Sequence, residues 1–298
     1  MITRLILLFS LLITPAVAAA RGGVVSASDP RAAAAGRAML RSGGSAADAA
    51  MAMMLALTVV EPQSSGIGGG GFLVHHDGKT GTVATIDGRE TAPAAARPDR
   101  FLGTDGKPMP FLQAVVGGRS VGVPGNIRLA ARAHQRWGKL PWKRLFDPAI
   151  RLAERGFTVT PRLAGSLRMV SANWADFPET RAIYWENGAA KPVGATVRNP
   201  ALAATLRRIA SGGPDAFYAG PIAKAIVTAV TQAPRNPTPL TLADLAGYRA
   251  KDRDAICSAY RGYRLCGMGP PSSGATTIFQ MLGMLERFDL KGMGPNDP

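Results

Sequence analysis

The run Pro62-Gln-Ser-Ser-Gly-Ile-Gly-Gly-Gly-Gly-Phe72 decides how this chain is read. Five of the six residues from Gly66 to Gly71 are glycine, so that stretch of backbone carries almost no side chain. Glycine at this density serves positive φ angles, close approach of another backbone, or main-chain N–H groups aimed at a ligand. A free linker would tolerate it too, but a linker is seldom bracketed as this run is. Ala46 to Val60 before it reads as a buried helix, and Phe72-Leu-Val-His-His-Asp77 after it reads as a strand.

That order disposes of one match. Gly66, Gly68 and Gly71 satisfy G-x-G-x-x-G. A dinucleotide-binding turn, however, needs a strand before the glycines and a helix after them, so that the helix N-terminus meets the pyrophosphate. Here the two elements are reversed, and the nucleotide reading is dropped.

Working outward, Ser45 with Asp48 three residues on forms a capping box. Ala46 to Leu57 is apolar on nearly all sides, which predicts a helix sandwiched between layers. At about a dozen residues it is a core helix and not a membrane span, which needs about 20. Upstream, Val24-Val25 predicts a short strand, and Ser28 or Asp29 caps a helix with Pro30 at its first position and Gly43 at its end. Downstream, strands are expected at Phe72–Asp77 and Thr82–Glu90, joined at Gly78-Lys79. The stretch 91–123 is Pro- and Gly-rich and irregular. Helices are expected at 126–136, 142–155, 161–171, 200–209 behind Asn199, and 215–232, with a short one from Thr241. A hairpin at 255–267 and a last helix from Gly274 to Arg287 complete the chain. No repeat or linker divides it, so residues 21–298 read as one α+β domain.

The first residues set the compartment. Arg4 precedes an apolar run from Leu5 to Ile13, and Pro15-Ala-Val-Ala-Ala-Ala20 offers cleavage after Ala18 or Ala20. Residues 1–20 therefore read as a signal peptide, too short for a stable membrane anchor, and the mature protein is expected to be periplasmic or secreted. Hydrophobic content of 46% supports a real core. The net charge of +15 comes from scattered arginines without aromatic interleaving. It describes a solvated basic surface, not a nucleic-acid partner.

Two cysteines fall in the predicted hairpin. With Arg261-Gly262 as a two-residue turn, 260 pairs with 263 and Cys257 stands opposite Cys266. Theirs is a non-hydrogen-bonded pair, with Cα atoms about 4.5 Å apart, and an oxidising compartment permits a disulfide. His75 and His76, adjacent on a strand, point to opposite faces, and His134 is isolated. No metal or cofactor is expected, and Met51, Met53 and Met54 are core filler. Ser272 and Ser273 lack a G-x-S-x-G context and a base and are read as caps of the helix from Gly274. Ser64 and Ser65 are read as turn residues.

Several stretches, taken together, resemble the large-subunit part of the γ-glutamyltransferases (glutathione hydrolases): Ser45-Ala-Ala-Asp-Ala-Ala50, Pro62 to Phe72, Asp87-Gly-Arg-Glu-Thr-Ala-Pro93 and Ser120-Val-Gly-Val-Pro-Gly125. Leu140-Pro-Trp142, Pro148-Ala-Ile150, Gly213-Pro-Asp-Ala-Phe-Tyr218, Tyr260-Arg-Gly-Tyr263 and Pro270-Pro-Ser-Ser-Gly274 extend the match over almost everything after the signal peptide. The resemblance implies an N-terminal-nucleophile hydrolase fold, a four-layer αββα sandwich. It implies a self-cleaving zymogen whose small subunit begins with a Thr. That Thr attacks the γ-glutamyl amide of glutathione or a related donor, and the acyl-enzyme passes to water or an acceptor amine.

Within this resemblance, Arg89 grips the α-carboxylate of the glutamyl group, a pairing suited to a planar guanidinium. The plainer alternative is a surface Arg paired with Asp87, which strand alternation puts on the same face. The glycine run becomes close-packed backbone beneath the site. No segment before Pro298 resembles the start of the small subunit, so no catalytic residue is assigned and the chain alone is expected to be inactive. Its expected partner is a small subunit from the same precursor or a split gene. Cephalosporin (glutaryl) acylases and polyglutamate-cleaving enzymes offer alternative substrates on the same fold. A truncated, non-catalytic chain is the reading from another class.

Overall fold

A computed structural model describes residues 23–294. Asp29 caps α1 (Pro30–Arg41), accepting from the Arg31 N–H at 2.8 Å, and Gly43 follows the helix at φ +81°. α2 (Ala46–Val60) opens on the capping box: Ser45 Oγ accepts from the Asp48 N–H, and Asp48 Oδ2 accepts from the Ser45 N–H. The glycine run then leads into β1 (Gly71–His76), which pairs antiparallel with β2 (Val83–Gly88).

The middle of the chain is mainly helical. It runs through α3 (Phe111–Val115), α4 (Asn126–Trp137) and α5 (Asp147–Arg155) to the two-residue strand β3 (Phe157–Thr158) and α6 (Pro161–Val170). α7 (Pro178–Tyr184) precedes a small hairpin of β4 (Trp185–Glu186) and β5 (Ala189–Ala190), and β6 (Thr196–Val197) pairs back on β3. α8 (Pro200–Gly212), α9 (Asp215–Tyr218), α10 (Gly220–Thr231) and α11 (Leu242–Gly247) follow. The chain then returns to the sheet with β7 (Lys251–Tyr260) and β8 (Tyr263–Met268) before α12 (Gly274–Leu285).

The four long strands form one antiparallel sheet in the order β1-β2-β7-β8. Its two faces have separate roles. Leu73, His75, Ile86 and Asp252 share the face toward α4: His75 stacks on Trp137 at 4.1 Å, and Asp252 pairs with Arg132 and Arg136. Phe72, Val74, Thr85, Asp87 and Arg253 occupy the opposite face. α2 lies behind α4 and contacts α1, α4 and α5, so residues around its circumference are buried. Leu55, Ile127, Leu145, Phe146, Leu163, Leu206 and Ile209 fill the core. The result is an α+β arrangement, helical layers against one face of a sheet.

Several local expectations need correction. Val24-Val25 forms no strand; Val24 is exposed and Val25 packs against the helical core instead of a sheet edge. The expected helix 142–155 begins as a 3-10 turn over Trp142–Phe146 and becomes α-helical at Asp147, beside Pro148. The expected helix 215–232 is broken at Ala219, which is extended between α9 and α10, with Gly220 at φ +66° and Pro221 following it. Ser273 makes no side-chain cap; Ser272 Oγ accepts from the Gly274 N–H at 3.3 Å.

Cys257 and Cys266 stand opposite each other in the β7–β8 ladder with Cα atoms 4.1 Å apart, and their sulfurs are bonded. Among the described residues no helix is long and apolar enough to cross a membrane, and no group of three His, Cys, Asp or Glu could hold a metal ion. The expected signal peptide, residues 1–20, lies outside the described residues.

Candidate functional site

The glycine run works by its lack of side chains. None of its glycines has a positive φ; what they provide is space. α2 ends at buried Glu61, whose carbonyl accepts from the N–H groups of Ser64 and Ser65, which makes both serines turn residues. The chain then passes under the start of α4. Gly69 O accepts from the N–H groups of Gly125 and Asn126 at 2.9 and 3.0 Å, and Gly66 O accepts from Asn126 Nδ2 at 2.7 Å. Backbone carbonyls thus satisfy donors at the start of α4 that have no partner within the helix. A Cβ on Gly70 would lie 2.6 Å from both Glu90 N and Gly88 O, so no other residue fits without moving the backbone.

This packing fixes the exit from β2. The strand ends at Gly88, so regular alternation does not extend to Arg89. Asp87 is buried and binds on both sides: Oδ1 accepts from the Arg89 N–H at 2.9 Å and Oδ2 from Arg253 Nε at 2.7 Å. The Tyr248 hydroxyl donates to Arg89 O at 2.7 Å. The backbone of Arg89 is therefore held at both its N–H and its C=O. Its side chain is 58% exposed, with Glu90 Oε2 at 3.4 Å from Nε. The alternative pairing of Arg89 with Asp87 through its side chain is not formed; Arg253 takes that carboxylate.

Arg89, Glu90, Arg100 and Arg119 line a cleft of about 510 Å³, with Gly68 at its edge. Arg100 Nε donates to Arg119 O at 2.7 Å, which draws the two arginines together. Burial, and then the neighbouring Arg119 charge, lower the pKa of Arg100 from its ordinary value. Three arginines and one carboxylate residue, Glu90, line this cleft, an excess of positive charge that suits an anion. A larger cleft of about 730 Å³ between α4 and the end of α8 contains Arg128, Trp142 and Arg249, but neither Arg89 nor any residue of the glycine run.

Of those residues, Arg89 and the glycine run come together here. Cys257 and Cys266 lie in the β7–β8 hairpin, which pairs with β2 through the opposite end of β7. Arg100, Arg119 and Tyr248 escaped sequence reading. The two arginines sit in the irregular 91–123 stretch, where no period assigns direction. Tyr248 is separated from Arg89 by 159 positions.

The family model for gamma-glutamyltranspeptidase matches residues 32–298. The glutathione hydrolase proenzyme of Bacillus subtilis is 38% identical over 225 residues, covering 74% of this chain and 37% of the relative. The acylase ACY 1 proenzyme of Pseudomonas sp. (strain SE83) is 38% identical over 182 residues, covering 61% of this chain and 32% of the relative. The chain thus spans about a third of the curated relatives' length. The crystal structure of Helicobacter pylori gamma-glutamyltranspeptidase superposes with a TM-score of 0.87 at 33% identity, covering 92% of this chain and 78% of that one. With the family model matched over residues 32–298 and the fold shared with a solved relative, this chain belongs to the gamma-glutamyltranspeptidase family.

Proposed function

We propose that this chain is the large-subunit part of an enzyme that transfers the γ-glutamyl group of glutathione or a related donor to water or an amine. The observation that carries this reading is Arg89, its backbone bonded on both sides and its guanidinium open to an arginine-lined cleft. A planar guanidinium makes two parallel hydrogen bonds to a carboxylate. The α-carboxylate of a γ-glutamyl donor supplies that partner and leaves the γ-amide several bonds away for attack.

In this reading the nucleophile is the N-terminal Thr of a small subunit. Its hydroxyl attacks the amide carbonyl, its own α-amine takes the proton, and the donor's amine leaves. Water or an acceptor amine then releases the glutamyl group and regenerates the Thr. The apolar side chains exposed on α12, Ile278, Met281 and Met284, fit a surface that such a second subunit covers. Export by residues 1–20 to the periplasm or beyond is part of the same proposal, and a Cys257–Cys266 disulfide suits that oxidising compartment. Mass spectrometry of envelope-derived protein should give a mature N-terminus near Ala19 or Arg21 and a 257–266 cross-link in non-reducing peptide maps.

A second reading, an acylase acting on glutaryl-type amides, is favoured by the 38% identity to the Pseudomonas acylase. A glutaryl group keeps the carboxylate that Arg89 would hold and lacks only the α-amino group of a γ-glutamyl group, so the two donors are separated by what receives the amine. The experiment is to supply the chain with a small subunit of the family and measure anilide release from both donors. Turnover of the γ-glutamyl anilide with little from the glutaryl anilide supports the main reading. The reverse preference establishes the acylase.

A further inference from the structure

Arg89 is open at its side chain, and the elements that hold its backbone come from a distant part of the chain. α11 touches the segment after β2 at two points. The Tyr248 hydroxyl, just past the end of α11, donates to Arg89 O at 2.7 Å. Asp244 Oδ1, in its first turn, accepts from the Ala94 N–H at 2.8 Å. Asp244 is itself fixed by a capping box with Thr241.

Tyr248 has little freedom to leave. It is buried and stacks on Tyr218 at 5.9 Å with the rings 6° from parallel. The Tyr218 hydroxyl donates to Pro124 O at 2.9 Å, one residue before Gly125. A Cβ on Gly125 would lie 2.3 Å from the Tyr248 hydroxyl and 1.9 Å from Gly88 O. Glycine at 125 is what lets this hydroxyl reach the β2 exit. Burial first, and then the charges of Asp87 and Glu90, push the Tyr248 hydroxyl up to about 12, so it remains a donor across the working range of an assay.

We propose that Tyr248 is a positioning residue: its hydroxyl, admitted by Gly125, locks the Arg89 carbonyl and so aims the Arg89 guanidinium at the carboxylate of the donor. Tyr248 touches neither the donor nor the reacting atoms. Its effect passes through Arg89 alone. The inference rests on the substrate-binding role of Arg89 given above.

The test is a double-mutant cycle in the complete processed enzyme, with Tyr248→Phe, Arg89→Ala and the double variant assayed on a γ-glutamyl anilide. Phe keeps the ring stack and removes only the hydroxyl. KM for Tyr248→Phe should rise roughly 3- to 10-fold, as expected for losing one hydrogen bond, with kcat little changed. In the Arg89→Ala background the same change should add less than about 2-fold, because coupled residues are non-additive. If Arg89→Ala turns over too slowly to measure, a 4-aminobutanoyl anilide, which lacks the α-carboxylate, replaces it: Tyr248→Phe should leave its KM unchanged. Gly125→Ala, which crowds the hydroxyl, should reproduce the KM effect of Tyr248→Phe. A Tyr248→Phe loss of the same factor with and without Arg89 or the carboxylate, or no change in KM, overturns the positioning role. An Arg89→Ala enzyme with unchanged KM overturns the substrate-binding reading itself, so the two failures are distinguishable.

Discussion

Two apolar helices of similar length meet opposite fates in this molecule. α2 has 15 residues, ten of them buried, and lies between α1, α4 and α5. α12 has 12 residues and none is buried; Ile278, Met281 and Met284 are each more than half exposed. Composition barely separates the two. What does is their surroundings: α2 has helices on several sides, whereas α12 contacts β7 and β8. Apolar content identifies a helix that needs covering, and the packing tells whether these residues cover it. The same contrast separates Arg89, whose backbone N–H and C=O both have partners, from the apolar surface beyond β8.

The sharpest way to break this comparison is to substitute one apolar residue in each helix. Leu55→Ala, at a fully buried position of α2, should cost about 2–5 kcal/mol of stability, measured by urea unfolding. Met281→Lys in α12 should change the stability of this chain by less than about 0.5 kcal/mol, as surface substitutions do. Equal losses at the two positions would mean that α12 is packed in solution and that the contrast is false. Between these extremes, Gly125→Ala should cost about 1–3 kcal/mol, because its Cβ meets backbone at Gly88 O, an obstacle that no rotamer change removes.

Asp244 gives a pH-dependent prediction of smaller size. Burial opposes ionisation there, but hydrogen bonds from Ala94 and Thr241 outweigh it and hold its carboxyl below the ordinary range. A carboxyl whose folded pKa is depressed stabilises the fold fully above its unfolded pKa, near 4, and loses that contribution as pH falls through the folded value. Asp244→Asn should therefore flatten the acid side of the stability curve and cost roughly 1 kcal/mol at neutral pH, on the scale of a helix cap. A variant with the parent's acid-side slope would remove Asp244 as the brace of Ala94.

Much of this was legible in the sequence. The caps of α1, α2 and α11, the hairpin register and the strands on either side of Gly78 all follow from local rules, because capping and two-residue turns are settled within a few residues. The glycine run by itself allowed positive φ angles, close backbone approach or N–H groups for a ligand, and the family resemblance singled out close packing. The run's purpose, seating the start of α4 and the exit of β2, needed the structure, since those partners lie far along the chain. Arg89 came from family resemblance; strand alternation put it beside Asp87, but the strand ends one residue earlier and Asp87 pairs with Arg253. Tyr248 carried no local signal, because a tyrosine after a short helix has no period or motif that points to a residue 159 positions away.

The central claim is that an Arg89 held by its backbone at the end of β2 receives the α-carboxylate of the donor. Its most direct test is the competitive inhibition constant of L-glutamate, measured against a γ-glutamyl anilide in the complete enzyme and in its Arg89→Ala variant, with 4-aminobutyrate as the ligand lacking the α-carboxylate. Losing a charge-assisted pair worth about 1.5–3 kcal/mol should weaken L-glutamate roughly 10- to 150-fold. Binding of 4-aminobutyrate should change less than about 2-fold, and Arg89→Lys should recover only part of the loss because a point charge cannot form the bidentate fork. An Arg89→Ala enzyme that binds L-glutamate as tightly as its parent, or that loses both ligands equally, would contradict the account.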